Sequence, residues 1–169
     1  MKLLLAIALA ALPPSIHPWP IGVGSRYHPP PTWSAVRAGR QIGRLQCRNA
    51  ATRFVVHVEV FARREVAILP AGIGRGPGCT YGLRTTGPTG IVRVADRTAT
   101  LGDLFRVWGQ PLGANRLLSF RGDTLAFVGG RRVAGDPGAI RLTRHAVIVL
   151  EIGGYLVPHH SYLFPKGMP

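Results

Sequence analysis

Lysine and carboxylates are both scarce in this chain. Lys2 and Lys166 are the only lysines, so 19 of the 21 basic residues are arginine, set against seven Asp and Glu in 169 residues. The seven acids are scattered and offer no carboxylate pair for acid–base work. The serines (Ser15, Ser25, Ser34, Ser119, Ser161) lie in no nucleophile elbow, and nothing in the sequence singles out a nucleophile, base and orienting group. Two cysteines, Cys47 and Cys79, are too few for a thiolate zinc knuckle and read first as one structural disulfide in an oxidising compartment. That bridge closes a loop of about thirty residues, a gain on the order of 3 kcal/mol. The apolar run Leu3–Leu12 is too short to span a bilayer.

The excess of arginine gives a formal charge of +14. Such a balance attracts anionic surfaces and ligands. The arginines fall singly or in pairs (Arg63–Arg64, Arg131–Arg132), with no run and no basic helix, which argues against specific nucleic-acid binding. An Arg:Lys ratio this lopsided is also what a GC-rich genome produces.

What is present points to an exported, turn-rich domain. Hydrophobic residues make up 46% of the chain, enough for a core, and 22 glycines and 15 prolines favour short strands. Residues 1–12 have the layout of a secretory signal: Met1–Lys2, then the apolar run, then Pro13–Pro14. Residues 13–44, with Pro29–Pro30–Pro31, read as an extended linker or arm, and residues 45–166 as a single β-rich domain.

Within that domain Phe54–Phe61 alternates, with Phe54, Val56, Val58 and Val60 on one face and Val55, His57, Glu59 and Phe61 on the other. The pattern predicts a half-buried strand. Short strands follow at Glu65–Leu69, Cys79–Arg84 and Ile91–Ala95. Thr100, with Asp103 three residues on, predicts a capped helix that buries Leu101, Leu104, Phe105 and Trp108 and ends at Gly109. Gly129–Gly130 predicts a hairpin between Thr124–Val128 and Arg131–Ala134. Ala146–Ile152, almost wholly apolar, reads as a strand buried on both faces. The expected class is α+β: a small, mostly antiparallel, β-grasp-like sheet with one packed helix.

Three motifs resist a functional reading. Gly72-x-Gly74-x-Gly76-x-Gly78 lacks the Lys-Ser/Thr of a phosphate loop and leads into a strand, so a flexible connection is expected. Arg121–Gly122–Asp123 is too short a match to assign. His159–His160, in a Pro-flanked tail, reads as a surface pair. His57 and Glu59 share one strand face and could bind copper or zinc with Cys79, whose neighbour-but-one Tyr81 shares its face. The plainer expectation for His57 and Glu59 is a solvated strand face. Cys79 could also pair with His57 or His145 as a nucleophile, but a disulfide would silence it.

Pro70–Ala71–Gly72–Ile73–Gly74, Cys79-x-Tyr81-x-Leu83, Gly90–Ile91, Thr100–Leu101–Gly102–Asp103–Leu104–Phe105 with Trp108–Gly109, Gly135–Asp136–Pro137 and Phe164–Pro165 occur in this order. Together they resemble an uncharacterised family of exported proteins of high-GC bacteria, over about Cys47 to Pro165. The resemblance implies a histidine-rich transition-metal site, because members carry histidines where this chain has Arg53, Val55, Arg84, Thr86 and Arg93, and a glutamate at Ala95. Only His57 is kept, and arginine opposes a cation. The expectation is therefore a non-enzymatic, extracytoplasmic relative that has lost its metal site and binds an anionic partner through Arg84 and Arg93, without a cofactor. The alternative is a copper- or zinc-binding protein or metalloenzyme using His57, Glu59 and Cys79.

Overall fold

A computed structural model describes residues 39–169. The signal-like segment and nearly all of the arm lie outside the described residues. The alternating segment forms the longest strand, β1 (Phe54–Ala62), and every residue in it is buried. It turns at Arg63–Arg64 into β2, which is only Glu65–Val66. The glycine-studded connection carries a two-residue hairpin, β3 (Arg75–Gly76) and β4 (Cys79–Thr80). Then come β5 (Leu83–Thr85), β6 (Ile91–Val94) and α1 (Leu101–Trp108). A small meander, β7 (Leu112–Gly113), β8 (Arg116–Leu117) and β9 (Phe120–Arg121), precedes the hairpin of β10 (Thr124–Val128) and β11 (Arg131–Val133). The last strand is β12 (Val147–Ile152).

The principal sheet runs β11-β10-β12-β1-β6-β5, with β2 on the end of β1. β1 and β12 are parallel neighbours at its centre, from His57 opposite Val147 to Ala62 opposite Ile152, and the remaining pairs are antiparallel. First and last strands side by side, a hairpin on the far flank and the helix between β6 and β10 make the expected α+β, β-grasp-like arrangement. β12 is buried along its whole length because it lies inside the sheet, covered on both faces.

The helix begins and ends where its chemistry dictates. The Thr100 hydroxyl accepts from the Asp103 amide while the Asp103 carboxylate accepts from the Thr100 amide, and Gly109 closes the helix in the left-handed region at φ 77°. Its apolar stripe packs with Phe54, Val56, Val58 and Val60 of β1 and with Ile148 and Leu150 of β12 into the main core.

Three expectations are corrected. The strand expected over Glu65–Leu69 stops at Val66, and the one over Cys79–Arg84 is split into β4 and β5. The residues just before Leu45 touch the domain: Ile42 bridges to Leu45, and the Tyr81 hydroxyl donates to the Arg40 carbonyl. The third concerns the other face of β1. Instead of meeting solvent, it is roofed by the chain after β12. Residues 153–169 fold back across it, from the Leu156 amide on Glu151 to the Pro169 carbonyl, which accepts from the Val55 amide. Phe61, Val66, Phe127 and Val149 form a second, smaller core there.

Candidate functional site

The period-two geometry of β1 places His57 and Glu59 on the roofed face, two residues apart. Both are buried, at 0% and 4% exposure, so the solvated strand face expected for them is not what the fold provides. His57 Nε2 lies 3.0 Å from the Thr89 carbonyl. A carbonyl only accepts, so Nε2 carries the hydrogen and Nδ1 presents a lone pair. That Nδ1 stands 3.3 Å from Glu59 Oε1 but makes no hydrogen bond to it. His159 reaches in from the tail and places its Nδ1 2.7 Å from Glu59 Oε2. It is exposed, as expected of a surface pair, and its ring also joins this cluster. Tyr162 stacks on the His57 ring at 3.6 Å, and Phe164 on the His145 ring at 4.6 Å.

Burial sets the charge states. It brings His57 down to about 4, so the ring is neutral at pH 7. It raises Glu59, against the opposing pull of His159. It also raises Glu151, two residue pairs further along the same face. Among the described residues no three histidine, cysteine or carboxylate side chains form a ready-made metal cage.

Cys79 does not join His57 and Glu59. It is disulfide-bonded to Cys47, whose side chain packs against the main core on the opposite face of the sheet. Tyr81 is buried in that same core. The copper or zinc set His57, Glu59 and Cys79 therefore loses its thiolate, and Cys79 has no thiol with which to act as a nucleophile.

Arg84 and Arg93 stand directly opposite one another across β5 and β6. Arg84 is spent on structure: its guanidinium donates to the Ala50 carbonyl and the Thr52 hydroxyl, and its pKa is lowered by burial and then by the Arg93 charge. The Arg93 guanidinium has no hydrogen-bond or ion-pair partner among the described residues. Two like charges directly opposed in a ladder repel, a cost an anion would relieve.

The larger basic feature lies where the segment before β1 crosses the end of β6. A cleft of about 560 Å³ is lined by Arg44, Arg48, Arg53 and Arg97 over a floor of Gly82 and Ala95, with Asp96 as its carboxylate. A second, of about 370 Å³, shares Arg53 and Arg97 with it and adds Arg144. Arg44 is held by Asp103 at 2.6 Å and by Thr98, and Arg144 donates to the Arg53 carbonyl. The guanidinium groups of Arg48, Arg53 and Arg97 have no such partners among the described residues. The cleft adjoins the opposed arginines through Ala50, which lines it and receives Arg84. Sequence reasoning missed this set because its members come from three separate segments. The only signal available was the charge total.

No family model, no curated protein and no solved structure matches this chain. Fold and geometry alone bear on function.

Proposed function

We propose that this is an exported, non-enzymatic domain that binds an anionic partner, a relative of the family it resembles in which arginine stands at three of the histidine positions, Arg53, Arg84 and Arg93. The observation that carries the reading is the group of three arginines, Arg48, Arg53 and Arg97, whose guanidiniums have no partner among the described residues, around two adjoining clefts whose lining includes one carboxylate. All seven carboxylates of the chain lie in the described region, and several are engaged elsewhere, Asp103 by Arg44 and Arg106 and Glu59 by His159. Guanidinium forks left open at a concave surface suit phosphate or sulfate oxygens, which they bind two at a time. The disulfide suits an oxidising compartment, and the signal-like residues 1–12 suit delivery to one.

Pyrophosphate is a suitable probe, because two linked anionic groups can engage arginines on both sides of the cleft. Calorimetric titration at low salt is expected to show saturable binding that weakens as salt rises. The triple variant Arg48→Gln/Arg53→Gln/Arg97→Gln, which touches exposed side chains only, is expected to weaken it by roughly tenfold per arginine that contacts the ligand. Equal affinity in wild type and variant would remove the cleft from the account.

A further inference from the structure

We infer that His57, Glu59 and His159 form a site for a divalent transition-metal ion, with zinc as the representative. This goes beyond the anion-binding reading and stands or falls separately from it, since it uses the roofed face of the sheet and none of the cleft arginines.

His57 carries a buried lone pair. His57 Nδ1 has no hydrogen-bond partner, and its side chain is 1% exposed, so water does not satisfy it. It faces Glu59 Oε1, another acceptor, at 3.3 Å. Two acceptors at that distance call for something electropositive between them, either a proton or a cation. The spacing suits a cation: two ligands on a tetrahedral ion with bonds of about 2.0–2.1 Å lie roughly 3.3 Å apart.

The surroundings are those of a metal-binding histidine. The second ring nitrogen donates to a backbone carbonyl, that of Thr89, which fixes the tautomer and turns Nδ1 toward the ion. Tyr162 lies flat against the ring, at an interplanar angle of 11°, and holds its plane. The third donor comes from the tail. His159 has its Nδ1 on Glu59 Oε2 at 2.7 Å, and its side chain is 55% exposed. It therefore has room to turn from the carboxylate onto the ion, and its exposed side leaves a route for the ion and a position for a water ligand. Imidazole, imidazole and carboxylate are a zinc-type donor set. Arg93 lies on the same face, opposite Val55 and two residue pairs from His57 and Ile91. Its charge lowers the affinity and leaves the three donors unblocked.

The test is calorimetric titration of the oxidised full chain with zinc(II), beside His57→Gln, Glu59→Gln, His159→Ala and the control His160→Ala. One equivalent is expected to bind to wild type and to His160→Ala, and to bind roughly tenfold or more weakly once any of the three donors is replaced. His159→Ala changes an exposed side chain and decides the matter if substitution at buried His57 or Glu59 prevents folding. In an NMR spectrum of the wild type, the His57 and His159 ring resonances are expected to shift together with zinc. Absence of saturable zinc binding would overturn the site. So would binding unchanged in His159→Ala, or ring shifts confined to other histidines. Failure here leaves pyrophosphate binding to the cleft untouched.

Discussion

Replacing Asp103 with alanine removes the residue that joins the helix to the arginine cleft. Its carboxylate is 1% exposed and accepts from the Thr100 amide at 3.0 Å, from Arg44 at 2.6 Å and from Arg106 at 2.6 Å. Losing the reciprocal cap costs about 1 kcal/mol. The two arginines are half exposed or more, at 50% and 63%, so solvent takes over much of what they lose, and each pairing is worth about 0.5–1 kcal/mol. The total is roughly 2–3 kcal/mol, or about 8–12 °C in Tm for a domain of this size. Asp103→Asn keeps an acceptor at the cap and should lose about half as much. Burial alone would raise the Asp103 carboxyl, but the Thr100 amide and the Arg44 and Arg106 guanidiniums outweigh it and hold it below its ordinary value. A group whose folded pKa is depressed stabilises fully above its unfolded value, near pH 3.9, and that contribution is lost as pH falls through the folded value. Urea unfolding at pH 7 and in steps below pH 4 checks both statements: the gap between wild type and Asp103→Asn should narrow as the pH drops. The same change removes the Asp103 charge from Arg44, which keeps its bonds to Thr98, so pyrophosphate should bind the Asn variant at least as tightly as wild type. An alanine variant within about 0.5 kcal/mol of wild type, or a gap independent of pH, would mean that Asp103 does not hold the helix start and the two arginines together.

Two further outcomes concern the scaffold. Reducing Cys47–Cys79, which are 32 residues apart, or changing both to serine, should cost roughly 3–4 kcal/mol in denaturant unfolding and leave zinc binding intact, since neither sulfur is a ligand. Gly74→Ala should be far worse than Gly72→Ala, although both glycines have positive φ. A Cβ at 74 would lie 2.0 Å from the Leu83 carbonyl, whereas one at 72 meets nothing within 4 Å, so the second should lose only about 1–2 kcal/mol of unfolding free energy.

Local chemistry made much of the fold legible beforehand. The capping box at Thr100 and Asp103, the stop at Gly109 and the Gly129–Gly130 turn are short-range signals, and each appears in the structure where the residues indicated. The turn at Arg63–Arg64 gave less warning. Both arginines adopt positive φ, a conformation their side chains disfavour, and Gly153 and Gly154 supply the space beside them from ninety residues away. The candidate site was legible only in part, for the same reason. Alternation put His57 and Glu59 on one face, but whether that face meets water depends on a tail a hundred residues later. Nothing periodic in residues 153–169 announces that they lie across β1, so His159 and Tyr162 could not be joined to His57 by spacing. The cysteines were placed with each other by their scarcity, and the disulfide in turn removes Cys79 from any metal site.

Binding at the arginine cleft is decided by titration of the oxidised full chain with pyrophosphate at two salt concentrations. One saturable site is expected, weaker at the higher salt and lost in Arg48→Gln/Arg53→Gln/Arg97→Gln, with the variant's unfolding midpoint close to that of wild type. No saturable binding at low salt, or binding that survives all three substitutions, would contradict it.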